Sequence, residues 1–221
     1  MKFDILSRVS ETLRRLRWLI LGVALLYVAS VMTGLATGHL APHTLHSFLA
    51  ESDRNQAAQV EKVFGRFREP VRAGQAGAMV TCSALVLTLN LIGNLSNTLT
   101  SILILPIPLT LVLGGWCQGM GLSQLHPSSF LSGFLFMLMG ALEWITYPVA
   151  TAAGLNVALS TLFPQWQAVA SRWLAFKRAC RDAACLYTLV ALLLAIQAVC
   201  EILYVRKVLL MGGTAVPLAP Y

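Results

Sequence analysis

The chain has 221 residues, 57% hydrophobic and 11% charged, with a net charge of +7 and a mean hydropathy of +0.72. Soluble domains carry about 25% charged residues, so a soluble globular fold is excluded and a single integral membrane domain fits the length. No basic run is interleaved with aromatics, which argues against a nucleic-acid surface, and five cysteines without a Cys-x-x-Cys pair make a poor disulfide framework.

Phe3 to Arg17 reads as an amphipathic helix, with Leu6, Val9, Leu13 and Leu16 at three- and four-residue steps and Arg8, Arg14, Arg15 and Arg17 largely on other faces. A basic helix of this kind is expected to lie on the membrane surface against anionic lipid, so residues 1–17 are taken as a cytoplasmic interfacial helix. Trp18 to Thr37 is an uncharged run of 20 residues, the length of one span. No small-residue cleavage site follows a short apolar core, so no cleavable leader is expected. Gly34 and Gly38 form a small-xxx-small pair suited to close helix packing.

Residues 38–77 hold the one long polar segment, expected to be an amphipathic stretch outside the membrane. Val60, Val63, Phe64 and Phe67 keep helical spacing there among mixed charges. His39, His43 and His46 stand at i, i+4 and i+7, but Pro42 lies inside the set and no acidic ligand is near. A solvated cluster is expected, not a metal site.

Ala78 to Gly93 reads as the second span. Asn90, Asn94 and Asn97 share one helix face at its end, where amides usually hydrogen-bond to a neighbouring helix; the other reading is the lining of a polar cavity. Leu99 to Met120 is the third span, interrupted by Pro106 and Pro108, with the small-xxx-small pair Gly115 and Gly119 and one more intramembrane amide, Gln118. Phe130 to Phe163 is apolar for 34 residues, too long for one untilted span. Glu143, Pro148 and Gly154 fall near its middle, so a broken or re-entrant helix is expected there. Residues 164–182 form a basic loop with Arg172, Lys177, Arg178 and Arg181. Ala183 to Val205 is the last span, with Gln197 and Glu201 stacked one turn apart.

The expected fold is therefore an all-α polytopic membrane bundle of about five spans with interfacial amphipathic helices. Excess Lys and Arg mark cytoplasmic segments, so the N-terminus and the 164–182 loop are placed inside, and the 38–77 segment and C-terminus outside.

Chemistry is sparse. From Ala73 to Ser171 the single acidic or basic side chain, histidine aside, is Glu143. An ionisable group at the bilayer centre costs at least about 2.5 kcal/mol unless it is paired or faces a polar cavity. One reading makes it structural, bonded to the asparagine face or to a carbonyl freed near Pro148. The other makes it a proton- or substrate-coupled group in a translocation path. Ser132-Gly133 near His126 faintly resembles an intramembrane serine protease, but Phe130 stands where that pattern needs glycine. There is no phosphate loop or dinucleotide fingerprint. The expected polar core is Glu143, Asn90, Asn94, Asn97, Gln118 and Glu201.

The order of these features resembles the stage II sporulation protein M family of bacterial and archaeal inner-membrane proteins. The matching parts are the basic N-terminal helix before a glycine-containing first span, Asn90-x-x-x-Asn94, the Gly114 to Gly121 segment, Gly140-Ala-Leu-Glu143 followed by Ala150 to Gly154, and Glu201 in the last span. Where family members often carry Pro-His, this chain has Leu138 and Met139. The resemblance implies a non-enzymatic membrane protein; with nothing catalytic in the residues and helix faces suited to packing, a scaffold or accessory subunit is expected, with no metal or cofactor. Its partners would be membrane lipid, other membrane or envelope proteins, or further copies of itself, and no nucleic acid. The alternative function is a transporter-like or permease-like component using Glu143 and the asparagine face. Gly140 and Gly154 join Gly34, Gly38, Gly115 and Gly119 as expected packing positions.

Overall fold

A computed structural model of the chain describes residues 5–40, 64–103, 107–123 and 130–210. They form six α-helices: α1 (Ile5–Leu40), α2 (Arg68–Arg72), α3 (Ala76–Ile102), α4 (Ile107–Ser123), α5 (Phe130–Leu162) and α6 (Arg172–Leu210). No strand occurs among the described residues. Most of the polar 38–77 segment, with His43 and His46, lies outside them, as does His126.

Four helices, α1, α3, α5 and α6, are long and apolar enough to cross a membrane. Their outer surfaces carry Leu25, Met32, Val80, Ile92, Met137 and Leu192, while Glu143, Asn156 and Gln197 are buried. That inverts the pattern of a water-soluble fold, so the solvent of this surface is hydrocarbon. The fourth helix in sequence, α4, has 17 residues, about 25 Å of length.

The helices run in alternating directions. α1 and α4 are parallel and in backbone contact: Gly34 lies against the Trp116 carbonyl, Gly119 against the Val31 carbonyl and Gly38 against Ser123. With no Cβ at these positions the two backbones come closer than other residues allow, and dispersion contacts replace the hydrophobic drive that lipid does not supply. α1 and α5 are antiparallel, joined through Leu16, Val149 and Ala153 at one end and through the edge-to-face pair Tyr27 and Tyr147 further along. α3 is parallel to α5, where the Thr98 hydroxyl donates to the Ala150 carbonyl at 2.8 Å and Gly154 lies against the Thr98 carbonyl. α3 is antiparallel to α6, with Val86 packed on Ala198 and Ile202 and Tyr187 donating to the Asn94 carbonyl at 2.8 Å.

Three expectations about elements need correction. Residues 1–17 were expected as a separate surface helix, yet α1 runs unbroken from Ile5 to Leu40. No Pro or Gly interrupts it before Gly22, and Leu13 and Leu16 pack into the core made by Val149, Ala153, Leu186 and Val190. The apolar stripe faces the bundle, not the lipid surface. Residues 130–162 form one helix through Pro148, not two half-helices. Pro148 is fully buried, and the packing around it holds the backbone straight enough to continue despite the missing N–H. The 164–182 loop is short: a 3-10 turn at Pro164–Gln167 precedes α6, and the basic residues from Arg172 onward lie on α6 itself.

Candidate functional site

The interior holds a carboxylate clasped by amides. Glu143 sits on α5 one turn before Pro148 and is 4% exposed. Gln197 of α6 donates through Nε2 to Oε1 of Glu143 at 2.7 Å. Gln118 of α4 donates through Nε2 to Oε2 at 2.6 Å. Tyr27 of α1 in turn donates its hydroxyl to Oε1 of Gln118. Three helices thus meet at one carboxyl group, and α1 joins them through Gln118. In a low-dielectric interior such bonds are stronger than in water, and losing one leaves a buried polar atom unmet.

Glu201 is 2% exposed. It follows Gln197 by one helical turn, and its carboxyl is near enough to act electrostatically on Glu143. The two carboxylates that the sequence left unconnected therefore share one region. No Lys, Arg or His occurs in residues 18–37, 76–102, 107–123, 130–162 or 182–205.

The asparagine face behaves differently from the expected interhelical amide ladder. The Asn94 side chain turns back to the Asn90 carbonyl at 2.9 Å, and Asn97 is half-buried. Bonds between helices at this face come from Thr98 and Tyr187, whose hydroxyls lie 2.5 Å apart. Asn90 is 3% exposed, and neither atom of its amide meets a hydrogen-bond partner among the described residues. The same holds for Oδ1 of Asn94 and Oε1 of Gln197. Among the expected packing glycines, Gly34, Gly38, Gly115, Gly119 and Gly154 touch another helix, whereas a Cβ at Gly140 would meet nothing within 4 Å. Gly140 is half-buried between the exposed Met137 and Ala141, at the edge of the inward face, where no neighbouring helix comes close.

A second polar cluster occupies the end of the bundle where α5 passes to α6. Oδ1 of Asn156 accepts from Nε1 of Trp166 and Nε2 of Gln167, both at 3.2 Å. Gln167 also reaches Ser160 at 3.1 Å and Asp182 at 3.4 Å. Asp182 forms an ion pair with Arg15 of α1, and Arg178 donates to the Gln167 carbonyl at 3.3 Å. Ala168, at φ +51°, turns the chain in the left-handed region next to this cluster.

No protein-family model, curated protein or solved structure matches the chain. The geometry carries the functional argument.

Sequence reasoning missed Tyr27, Asn156 and Gln167. It noted Gln197 only for its stacking on Glu201. Gln197 was findable as the lone amide of an otherwise apolar span, by the same signal that marked Gln118. Among the described residues no group of three His, Cys, Asp or Glu side chains converges as a metal site.

Proposed function

We propose that the protein is a non-enzymatic integral membrane scaffold or accessory subunit, similar in kind to the stage II sporulation protein M family. In this reading it spans the cytoplasmic membrane of a bacterium or archaeon five times, with its N-terminus cytoplasmic. The observation that carries the reading is the clasp on Glu143. Both oxygens accept from amides on different helices, so the carboxyl ties α4, α5 and α6 together, as an interhelical polar bond in lipid does. The backbone contacts at Gly34, Gly119 and Gly154 support the same conclusion, because they make a closed bundle. The alternating helix directions support five passes. The basic residues of α1 and α6, gathered at one end by the Arg15–Asp182 pair, support a cytoplasmic placement of that end.

The test is a pull-down of the full chain in mild detergent with the bound proteins identified. A scaffold co-purifies with a defined envelope partner in near-stoichiometric amount, and Glu143→Gln retains it, since the glutamine oxygen still accepts one amide bond. Recovery of the chain alone, from cells and at native abundance, would sink the reading.

A transporter-like role is favoured by one specific observation. Asn90, Asn94 and Gln197 carry buried polar atoms with no hydrogen-bond partner among the described residues, as the lining of a solute path does. It predicts that Glu143→Gln abolishes flux while the protein still assembles.

A further inference from the structure

At the basic end of the bundle α1 and α6 run parallel, levelled by the Arg15–Asp182 ion pair and by Leu16 packed with Leu186. Residues 5–17 and 172–182 each carry four basic side chains and one acidic one, Glu11 and Asp182. Charge then stops on both helices at one level, since no Lys, Arg, Asp or Glu occurs in residues 18–37 or 183–200. Two separate segments thus mark the same boundary between headgroups and hydrocarbon. Trp18, Trp166 and Trp173 are exposed at this end, as indole rings at a membrane interface are.

An open cleft of about 370 Å³ lies at this boundary, lined by Glu11, Arg14, Arg15 and Arg17. Asp182 holds the Arg15 guanidinium from the α6 side, and Arg17 rests over the Trp18 ring at 5.3 Å. Three arginines against the one carboxylate of Glu11 leave the cleft positive, and a planar guanidinium matches phosphate oxygens in pairs. The same face continues into the apolar span. Arg14, Trp18, Leu21 and Leu25 stand at i, i+4, i+7 and i+11, so they form one stripe of α1, and all four are exposed. Over about 16 Å of helix the stripe passes from cationic to aromatic to aliphatic. That is the order of a phospholipid, from phosphate through glycerol to acyl chain. A soluble phosphate would use only the first of these residues, and an acidic protein surface would leave Leu21 and Leu25 without a role.

We propose that this cleft binds the phosphate of one anionic phospholipid, with an acyl chain laid along Trp18, Leu21 and Leu25. The inference is independent of the Glu143 clasp and of which partner the scaffold recruits.

The experiment is native mass spectrometry of the full-length protein in mild detergent, titrated with phosphatidylglycerol or with phosphatidylcholine of the same acyl chains. Phosphatidylglycerol is expected to bind first, as a single adduct, with an affinity about tenfold higher or more. Arg14→Gln combined with Arg17→Gln should lower that affinity roughly ten- to thirtyfold, the effect of two basic side chains at an anionic lipid surface. Arg72→Gln combined with Lys207→Gln removes the same charge at the other end and should leave it unchanged. Leu21→Ala combined with Leu25→Ala keeps every charge and should weaken the lipid severalfold; if the arginine variant fails to fold, this pair still decides. Equal affinity for the two lipids would overturn the proposal. So would equal losses in the two charge variants, which would make the attraction a property of net charge alone. Displacement of the lipid by inorganic phosphate alone would place a soluble anion in the cleft. Arginine-dependent capture of an acidic protein, with lipid binding unchanged, would give the cleft to a protein partner. Either result also overturns it.

Discussion

At Gly119 a methyl group would overlap the carbonyl oxygen of Val31, whereas at Gly140 it would meet nothing within 4 Å. Gly119→Ala and Gly154→Ala are therefore expected to cost about 1–3 kcal/mol, since two packed backbones must move apart. Gly140→Ala should be neutral or stabilising by up to about 1 kcal/mol, from helix propensity alone. Unfolding midpoints of the three variants in one detergent check the contrast, and a loss at Gly140 as large as at Gly119 would contradict it. The polar core gives a second ordering. Gln118→Leu removes the donor from Oε2 of Glu143 and leaves a buried carboxyl oxygen unmet, at about 1–3 kcal/mol. Tyr27→Phe removes a hydroxyl further from the carboxyl and should cost less. If Tyr27→Phe proves the more damaging in the same melting assay, the chain of bonds has been read in the wrong direction. Glu143 was legible because a charge in an apolar run is conspicuous. Tyr27 was not, because an aromatic in a span has the same appearance whether it bonds or merely packs.

The elements repeat this contrast. The length and apolar character of each helix could be read from the residues, but their continuity could not. Local pattern suggests a boundary at Trp18, where basic residues give way to apolar ones. The boundary vanishes because Leu13 and Leu16 find partners on α5 and α6. Pro148 suggests a break that burial among neighbouring helices prevents. The link between α5 and α6 was also invisible, since Asn156, Gln167, Asp182 and Arg15 come from separate parts of the chain. Asp182 holds that link together. The Arg15 side chain is 49% exposed and the Asp182 side chain 11%, so the ion pair itself contributes about 1 kcal/mol or less. Asp182→Ala should then leave the global midpoint within a few degrees. It should speed proteolytic cleavage between residues 163 and 171 and amide exchange at the start of α1. Unchanged cleavage and exchange would show that the cluster holds nothing in place.

For the whole molecule, the alternating helix directions place the two ends of the bundle on opposite sides of the membrane. One end gathers the start of α1 and the 163–171 link, with Arg14, Arg17, Lys177 and Arg181 exposed around it. The other gathers α2, the start of α3 and the end of α6, where Val71 packs near Leu209. Cysteine introduced at Gln165 or at Gln75, in a chain whose five native cysteines are replaced, tests this arrangement. A membrane-impermeant maleimide added outside intact cells should label position 75 and spare position 165. Labelling of both positions from one side would rule out five passes, because α4 would then not cross.

Composition alone decided that this chain lives in lipid: too few charges exist to give each helix a face for water. The same scarcity made Glu143 stand out and placed polar residues in the spans. The helices that answer Glu143 were decided only by tertiary structure. Gln118 and Gln197 reach it from α4 and α6, while on the asparagine face Asn94 turns to its own backbone. The reason is physical. Apolar periodicity records how far a helix extends and which side avoids water, but in lipid almost every side may be apolar. Orientation is then set by which backbones can approach, at Gly34, Gly119 and Gly154, and those contacts exist only once the helices have met.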